Sequence, residues 1–292
     1  QMWEEIVEPV LRARPSAGAR APQSVRRIRT FGIGESTLAE MLSEFDWHNP
    51  EVTIGTRAHL DGVTVILRGL AGPEDRATGN NPTEDAPKGT TARSGPEGCA
   101  DGGTLPRNSP LPSGKLVAVE TRILEILRER VYSVQDESLS EIVGRLLRQA
   151  GLTVAVAESC TGGLVDKRLT DIPGSSDYFL GGVTAYDNRV KTKVLGVPDE
   201  VLAAHGAVSR EVAAAMAEGV CRLLDADCAL STTGVAGPAG GSDAKPVGLV
   251  YIGSVVGGVV EVERMYFPGG REHIRERAAF AALDLLRRRL SQ

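Results

Sequence analysis

Three short polar stretches each follow an apolar run and carry side chains able to do chemistry. In "VAVAESCTGGLVDKRL", residues 154–169, Ser159, Cys160 and Thr161 sit between a strand-like segment and a helix-like one. "AYDNRVKTKVLGV" sets Tyr186 and Lys191 just after a second apolar run. "STTGVAGPAGGSDAKPVG" sets Thr232, Thr233 and a glycine-rich loop after a third. Amides in the first turn of a helix lack internal partners and carry the positive end of the helix dipole. A serine at such a join serves one of three ends. It caps the helix, worth about 1 kcal/mol; it helps cradle an anion; or it is a nucleophile whose oxyanion those amides hold. The turn alone leaves all three open.

These stretches need a scaffold that brings strand ends together, and the periodicity supplies one. "DESLSEIVGRLLRQAG" predicts a helix with a Ser138/Glu141 capping box, a stripe of Leu139, Ile142, Val143, Leu146 and Leu147, and a stop at Gly151. A strand over 152–157 and a helix over 162–170 follow. "YFLGGVTAYD" is apolar, "SREVAAAMAEGVCRLLDA" predicts a helix capped by Ser209, and "DCALSTTG" a short buried strand. "VGLVYIGSVVGG" and "VVEVERMYF" predict a strand pair, and "REHIRERAAFAALDLLRRRL" a closing helix. Helices alternating with strands imply a layered α/β domain, and the adjacent late strands make its sheet mixed. Polar loops at several strand ends are how such sheets build a site.

Earlier in the chain, Val25, Ile28 and Phe31 lead into "GIGES", and Leu38, Met41, Leu42 and Phe45 recur at helical spacing. Glu35, Ser36 and Thr37 are available to cap that helix. "VTIGTRAHL" and "GVTVILRGL" predict a hairpin around Asp61-Gly62. The stretch 71–114 is dense in Gly, Pro, Asn, Ser and Thr with almost no large apolar side chains, so it is expected to be disordered. "LVAVETRILEILRERV" then predicts an amphipathic helix with Val117, Ile123, Ile126 and Leu127 on one face. Together these make a small α+β module, 25–135, interrupted by the insert, after a helix and linker at 1–24. The layered domain occupies 136–292.

Composition narrows the function classes. The 292 residues are 41% hydrophobic and 24% charged, with a net charge of −5, which argues against a dedicated nucleic-acid surface. Cys99, Cys160, Cys221 and Cys228 show no metal-ligand spacing and are expected to be free thiols in a reducing compartment. No window approaches a membrane span, and the N-terminal stretch does not resemble a signal peptide; a cytoplasmic location is expected. The glycine loop lacks the P-loop ending and the G-x-G-x-x-G spacing, and there is no G-x-S-x-G elbow. His205, in "AAHGAV", reads as a helix-end structural residue.

The segments "AESCTGG", "TDIPGSSDYFLGGVTAYDN", "HGAVSREV", "TTGVAGPAGGSDAKPVGLVYI" and "FPGGREHIRERA" together resemble the C-terminal domain of the CinA (competence/damage-inducible protein A) family, a nicotinamide-nucleotide amidohydrolase. "RTFGIGES" and "NPEVTIGTRAHLDGVTVILRG" resemble that family's KH-like middle domain, and "MWEEIVEPVL" the last helix of its molybdopterin-binding-like N-terminal domain, so the activity of that N-terminal domain is not expected here. The resemblance implies an α/β/α domain with a mixed sheet, preceded by a KH-like α+β module, and a homo-oligomer.

It further implies hydrolysis of nicotinamide mononucleotide (NMN) to nicotinate mononucleotide and ammonia, without cofactor or metal. Ser159 is then the nucleophile, Lys191 its proton acceptor, and Tyr186 a hydroxyl in the same network, with Thr233 and Arg271 at the other polar positions. A lysine is a base only when its pKa falls from about 10.4 towards neutrality, at a cost of about 4 kcal/mol, which burial beside a cation such as Arg271 or the substrate's pyridinium would supply. Amides at the start of helix 162–170 would hold the oxyanion, and Thr161, Gly162 and Gly163 of this turn would be substrate-binding. Gly234, Gly237, Gly240 and Gly241 would bring loop amides to the phosphate, with Lys245 or Arg271 adding charge. The competing reading is a catalytically inactive nucleotide- or partner-binding protein. RNA binding is disfavoured, because "GIGES" lacks a G-x-x-G loop and sets Glu35 where phosphates would approach.

Overall fold

The computed structural model of the chain describes residues 23–70 and 114–292. The helix expected within 1–24 and the insert expected at 71–114 lie outside the described residues, except where Gln23 and Ser24 open a strand and Gly114 opens a helix.

The first part runs β1 (Gln23–Thr30), α1 (Glu35–Met41), β2 (Val52–His59), β3 (Gly62–Leu70), α2 (Gly114–Leu127) and β4 (Val131–Ser133), in a four-stranded sheet ordered β2-β3-β1-β4. The predicted hairpin is present, turning at Leu60 and Asp61. The expected capping of α1 is not. Gly34 is the N-cap and no side chain bonds to it; Glu35 instead accepts from the Thr56 hydroxyl at 2.9 Å, drawn sideways onto β2. On α2 the buried residues are Leu116, Ile123 and Leu127, whereas Val117 is 44% exposed. At about 100° per residue, Val117 turns away from the line that the other three share.

The second part contains α3 (Leu139–Ala150), β5 (Val154–Glu158), α4 (Leu164–Thr170), β6 (Phe179–Thr184), α5 (Asn188–Lys193), α6 (Asp199–His205), α7 (Arg210–Leu224), β7 (Cys228–Gly234), β8 (Leu249–Val256), β9 (Val259–Tyr266) and α8 (Arg271–Leu290). The capping box of α3 forms as expected. The Glu141 amide donates to Ser138 Oγ at 3.2 Å, the Ser138 amide donates to Glu141 Oε2 at 2.6 Å, and Gly151 ends the helix in the left-handed region. Ser209 likewise caps α7, accepting from the Val212 amide at 3.3 Å.

The five-stranded sheet is ordered β6-β5-β7-β8-β9. β5 pairs parallel with β6 and β7, while β8 and β9 return antiparallel, so the sheet is mixed. Alternation along β5 sets the layers. Val154 and Val156 join Leu139, Ile142, Val143 and Leu147 of α3 and the apolar face of α8. Ala155 and Ala157 face Val212, Met216 and Val220 of α7 in a separate cluster. The sheet is thus covered on both faces, and the C-terminal ends of β5, β6 and β7 open towards one edge of the domain, where ligand sites of parallel sheets form.

Candidate active site

β5 and β7 stay in register to their ends, and the Ser159 amide carries the ladder one step further by donating to Thr232 O at 2.9 Å. Helix α4 begins at Leu164, later than expected, because Gly162 and Gly163 take left-handed φ values of 60° and 92° that no helix accommodates. Residues 159–163 therefore form a true turn with Ser159 at its head.

The turn is held from within by Glu158, a fully buried carboxylate. Its Oε2 accepts from the Gly163 amide at 2.9 Å and its Oε1 from the Asp166 amide at 2.8 Å. Of the amides expected to hold an oxyanion, that of Gly163 is thus already engaged by the Glu158 side chain. Burial and the neighbouring Glu158 push the Asp166 carboxyl well above the usual carboxylate range.

Lys191 comes from α5, whose start is capped by Asp187 accepting from the Arg189 amide at 2.8 Å. The lysine is 1% exposed. Its Nζ lies 3.2 Å from Ser159 Oγ, 2.6 Å from Ala185 O and 3.2 Å from Tyr186 O. Burial lowers its pKa against the opposing pull of Asp187. Burial is the part of the expected cause that acts here; the neighbouring charges that bear on the amine, Asp187 and Cys160, pull the other way. Two carbonyls take two of the amine's hydrogens, so a neutral Lys191 has its lone pair left for the serine hydroxyl.

Ser159 and Lys191 open into a cavity of about 290 Å³ also lined by Tyr186, Asn188, Thr233, Gly234, Gly237, Gly240 and Arg271. Arg271 opens α8; its Nη1 donates to Gly237 O at 2.9 Å and its Nη2 to Tyr186 Oη at 3.2 Å. The Tyr186 hydroxyl thus meets Arg271, while only its backbone carbonyl touches Lys191. Thr233 Oγ1 donates to Ala207 O at 2.6 Å, tying two lining residues of the cavity together.

Other sequence candidates stand elsewhere. Thr161 is fully buried, its hydroxyl 2.6 Å from that of Thr232, and with Gly162 and Gly163 it lies outside the cavity lining. Gly241 is likewise absent from the lining, and Lys245 turns away to donate to His205 O at 2.6 Å. Cys160 lines the cavity, but burial pushes its thiol up to about 12, consistent with packing. Cys160, Cys221 and Cys228 are free thiols; Cys99 lies outside the described residues.

Sequence reasoning missed Glu158, Asn188 and Arg275. Glu158 ends a strand whose other residues are all apolar, a signal that it is buried for a reason. Arg275 donates from Nε to Cys160 O at 3.2 Å and from Nη2 to Thr161 O at 2.7 Å, a long-range contact with no local signature.

Comparison with known proteins matches the CinA C-terminal domain profile to residues 136–290 and the KH domain profile of damage-inducible protein CinA to residues 25–81. A CinA-like protein of Kosmotoga olearia is 48% identical over 263 residues, covering 90% of this chain and 55% of that relative. The crystal structure of a competence/damage inducible protein from Agrobacterium tumefaciens aligns with a TM-score of 0.51 and 42% identity, covering 53% of this chain and 94% of that one. A CinA superfamily structure from Escherichia coli gives 0.51 and 30%, covering 55% of this chain and 97% of that one. The chain spans 55 to 60% of the length of the first curated relatives it matches. Among the described residues no helix is long and apolar enough to cross a membrane.

Proposed function

The chain belongs to the CinA family, and from that premise we propose that it hydrolyses the carboxamide of NMN, releasing nicotinate mononucleotide and ammonia. One observation carries the reading. A serine hydroxyl and a buried lysine amine stand 3.2 Å apart in a cavity whose lining, among the described residues, holds no histidine and no carboxylate. The amine is then the group within reach to take the serine's proton.

In this mechanism Ser159 Oγ bonds to the carboxamide carbon as its proton passes to Lys191 Nζ. Collapse of the tetrahedral species breaks the C–N bond, and Lys191 returns the proton to the departing nitrogen, which leaves as ammonia. Water then attacks the acyl-serine ester, gives its proton to Lys191, and frees the carboxylate; Lys191 returns that proton to Ser159. One water is consumed and no oxidant or reductant is needed.

A volume of about 290 Å³ is near the small end of ligand sites, which favours a mononucleotide over a dinucleotide. Arg271 and the amides of the loop at Gly237 and Gly240 are suited to the phosphate. Lys245 has no part in this scheme. The test is purified protein with NMN, followed by chromatography for the deamidated nucleotide and by an ammonia assay. Binding of NMN without product would favour the inactive nucleotide-binding reading.

A further inference from the structure

The turn bearing Ser159 is gripped from outside as well as from within. Arg275, one helical turn into α8, is half-buried, and its planar fork spans two successive carbonyls, those of Cys160 and Thr161. No carboxylate pairs with it among the described residues, so its charge is directed at backbone dipoles. Gly162 makes room for the fork: a Cβ there would sit 3.3 Å from Arg275 Nη2. Opposite, Glu158 takes the amides of Gly163 and Asp166, while the Ser159 amide is fixed to Thr232 O.

We infer that Arg275 is a positioning residue for Ser159, acting as the outer jaw of a clamp that fixes the peptide planes following the nucleophile; this rests on the hydrolase reading above. Arg275 does not line the cavity and touches no reacting atom. Its effect passes through the turn. The Ser159–Lys191 separation tolerates little error, because displacing a reacting group by an ångström costs about 10²-fold in rate. A guanidinium suits this task better than an ammonium, since its rigid fork orients two acceptors at once.

The experiment compares the full chain with Arg275→Ala and Arg275→Lys. Three quantities are measured: NMN turnover, the rate at which phenylmethylsulfonyl fluoride labels Ser159 by intact mass, and the thermal unfolding midpoint. Arg275→Ala is expected to lower kcat about 10²-fold with KM within about twofold, to slow labelling in parallel, and to recover partly in millimolar guanidinium chloride. Arg275→Lys is expected to fall between the two, with a midpoint close to wild type; it carries the measurement should the alanine variant not fold. Wild-type kcat and labelling in Arg275→Ala, or a loss confined to KM, would overturn the inference. So would a loss that follows the folded fraction and shows no rescue. A wild-type chain that is labelled at Ser159 yet inert on NMN discards the substrate assignment alone, and the labelling ratio still decides the role of Arg275. A wild-type chain that neither turns over NMN nor takes the label overturns both.

Discussion

Lys191 Nζ lies 3.2 Å from Ser159 Oγ, with the carbonyls of Ala185 and Tyr186 holding the amine from the other side at 2.6 and 3.2 Å. An amine in this position is buried at the floor of its cavity and costly to keep charged. That combination suits a base better than a structural cation.

Ser159→Ala and Lys191→Met should each reduce ammonia release from NMN by about 10³-fold or more, since nucleophile and base act as one unit. The double variant should be little worse than either single one. Ammonia assays on the three proteins decide this; losses that multiply would mean that the two side chains work independently.

In the proposed mechanism Lys191 acts as the neutral amine, so kcat/KM should climb as pH rises through the lowered lysine pKa. Asp187 favours the charged amine. Asp187→Asn keeps a side chain able to cap α5 while removing that anion, and should move the rising limb to lower pH. The displacement should be largest at low ionic strength. A pH–rate profile that stays put, or moves upward, contradicts the assignment of Lys191 as base.

Arg271 should act on binding. Its removal by Arg271→Ala is expected to raise KM for NMN about 10-fold or more, the worth of a charge-assisted contact. Tyr186→Phe, which takes one hydrogen bond from the same guanidinium, should change KM by about 3-fold. Initial-rate kinetics separate these from a kcat effect.

Asp166 makes a prediction about stability. Its carboxyl is pushed up to about 7, first by burial and then by Glu158, whereas in the unfolded chain it titrates near 4. Between those values the folded chain holds a proton that the unfolded chain has released, so stability falls as pH rises. Asp166→Asn lacks this loss. Urea midpoints should show the variant gaining on wild type from about pH 4 to about pH 7, with the difference level above that.

The legibility of this fold in its sequence follows the range of the forces involved. Local signals were readable: the Ser138/Glu141 box, the Gly151 stop, the hairpin near Asp61 and the alternation that buries β5 are decided within a few residues. Val117 lies off the buried face of its helix because that face depends on which neighbour covers it, and Leu116 is the residue that becomes buried. The start of α4 moved because two glycines followed their own backbone preference. In the site, residue types near strand ends were visible, but their hydrogen bonds were not. Lys245 is a plausible phosphate ligand by composition, yet the carbonyl of His205 captures it. Glu158 and Arg275 act by satisfying backbone groups, a demand that no motif announces.

The fork of Arg275 closes on carbonyls made more than a hundred residues earlier in synthesis, at a sequence separation of 115 from Cys160. On the clamp inferred above, the turn at Ser159 is therefore completed only by the last helix of the chain, whose apolar face also closes the core over Val154 and Val156.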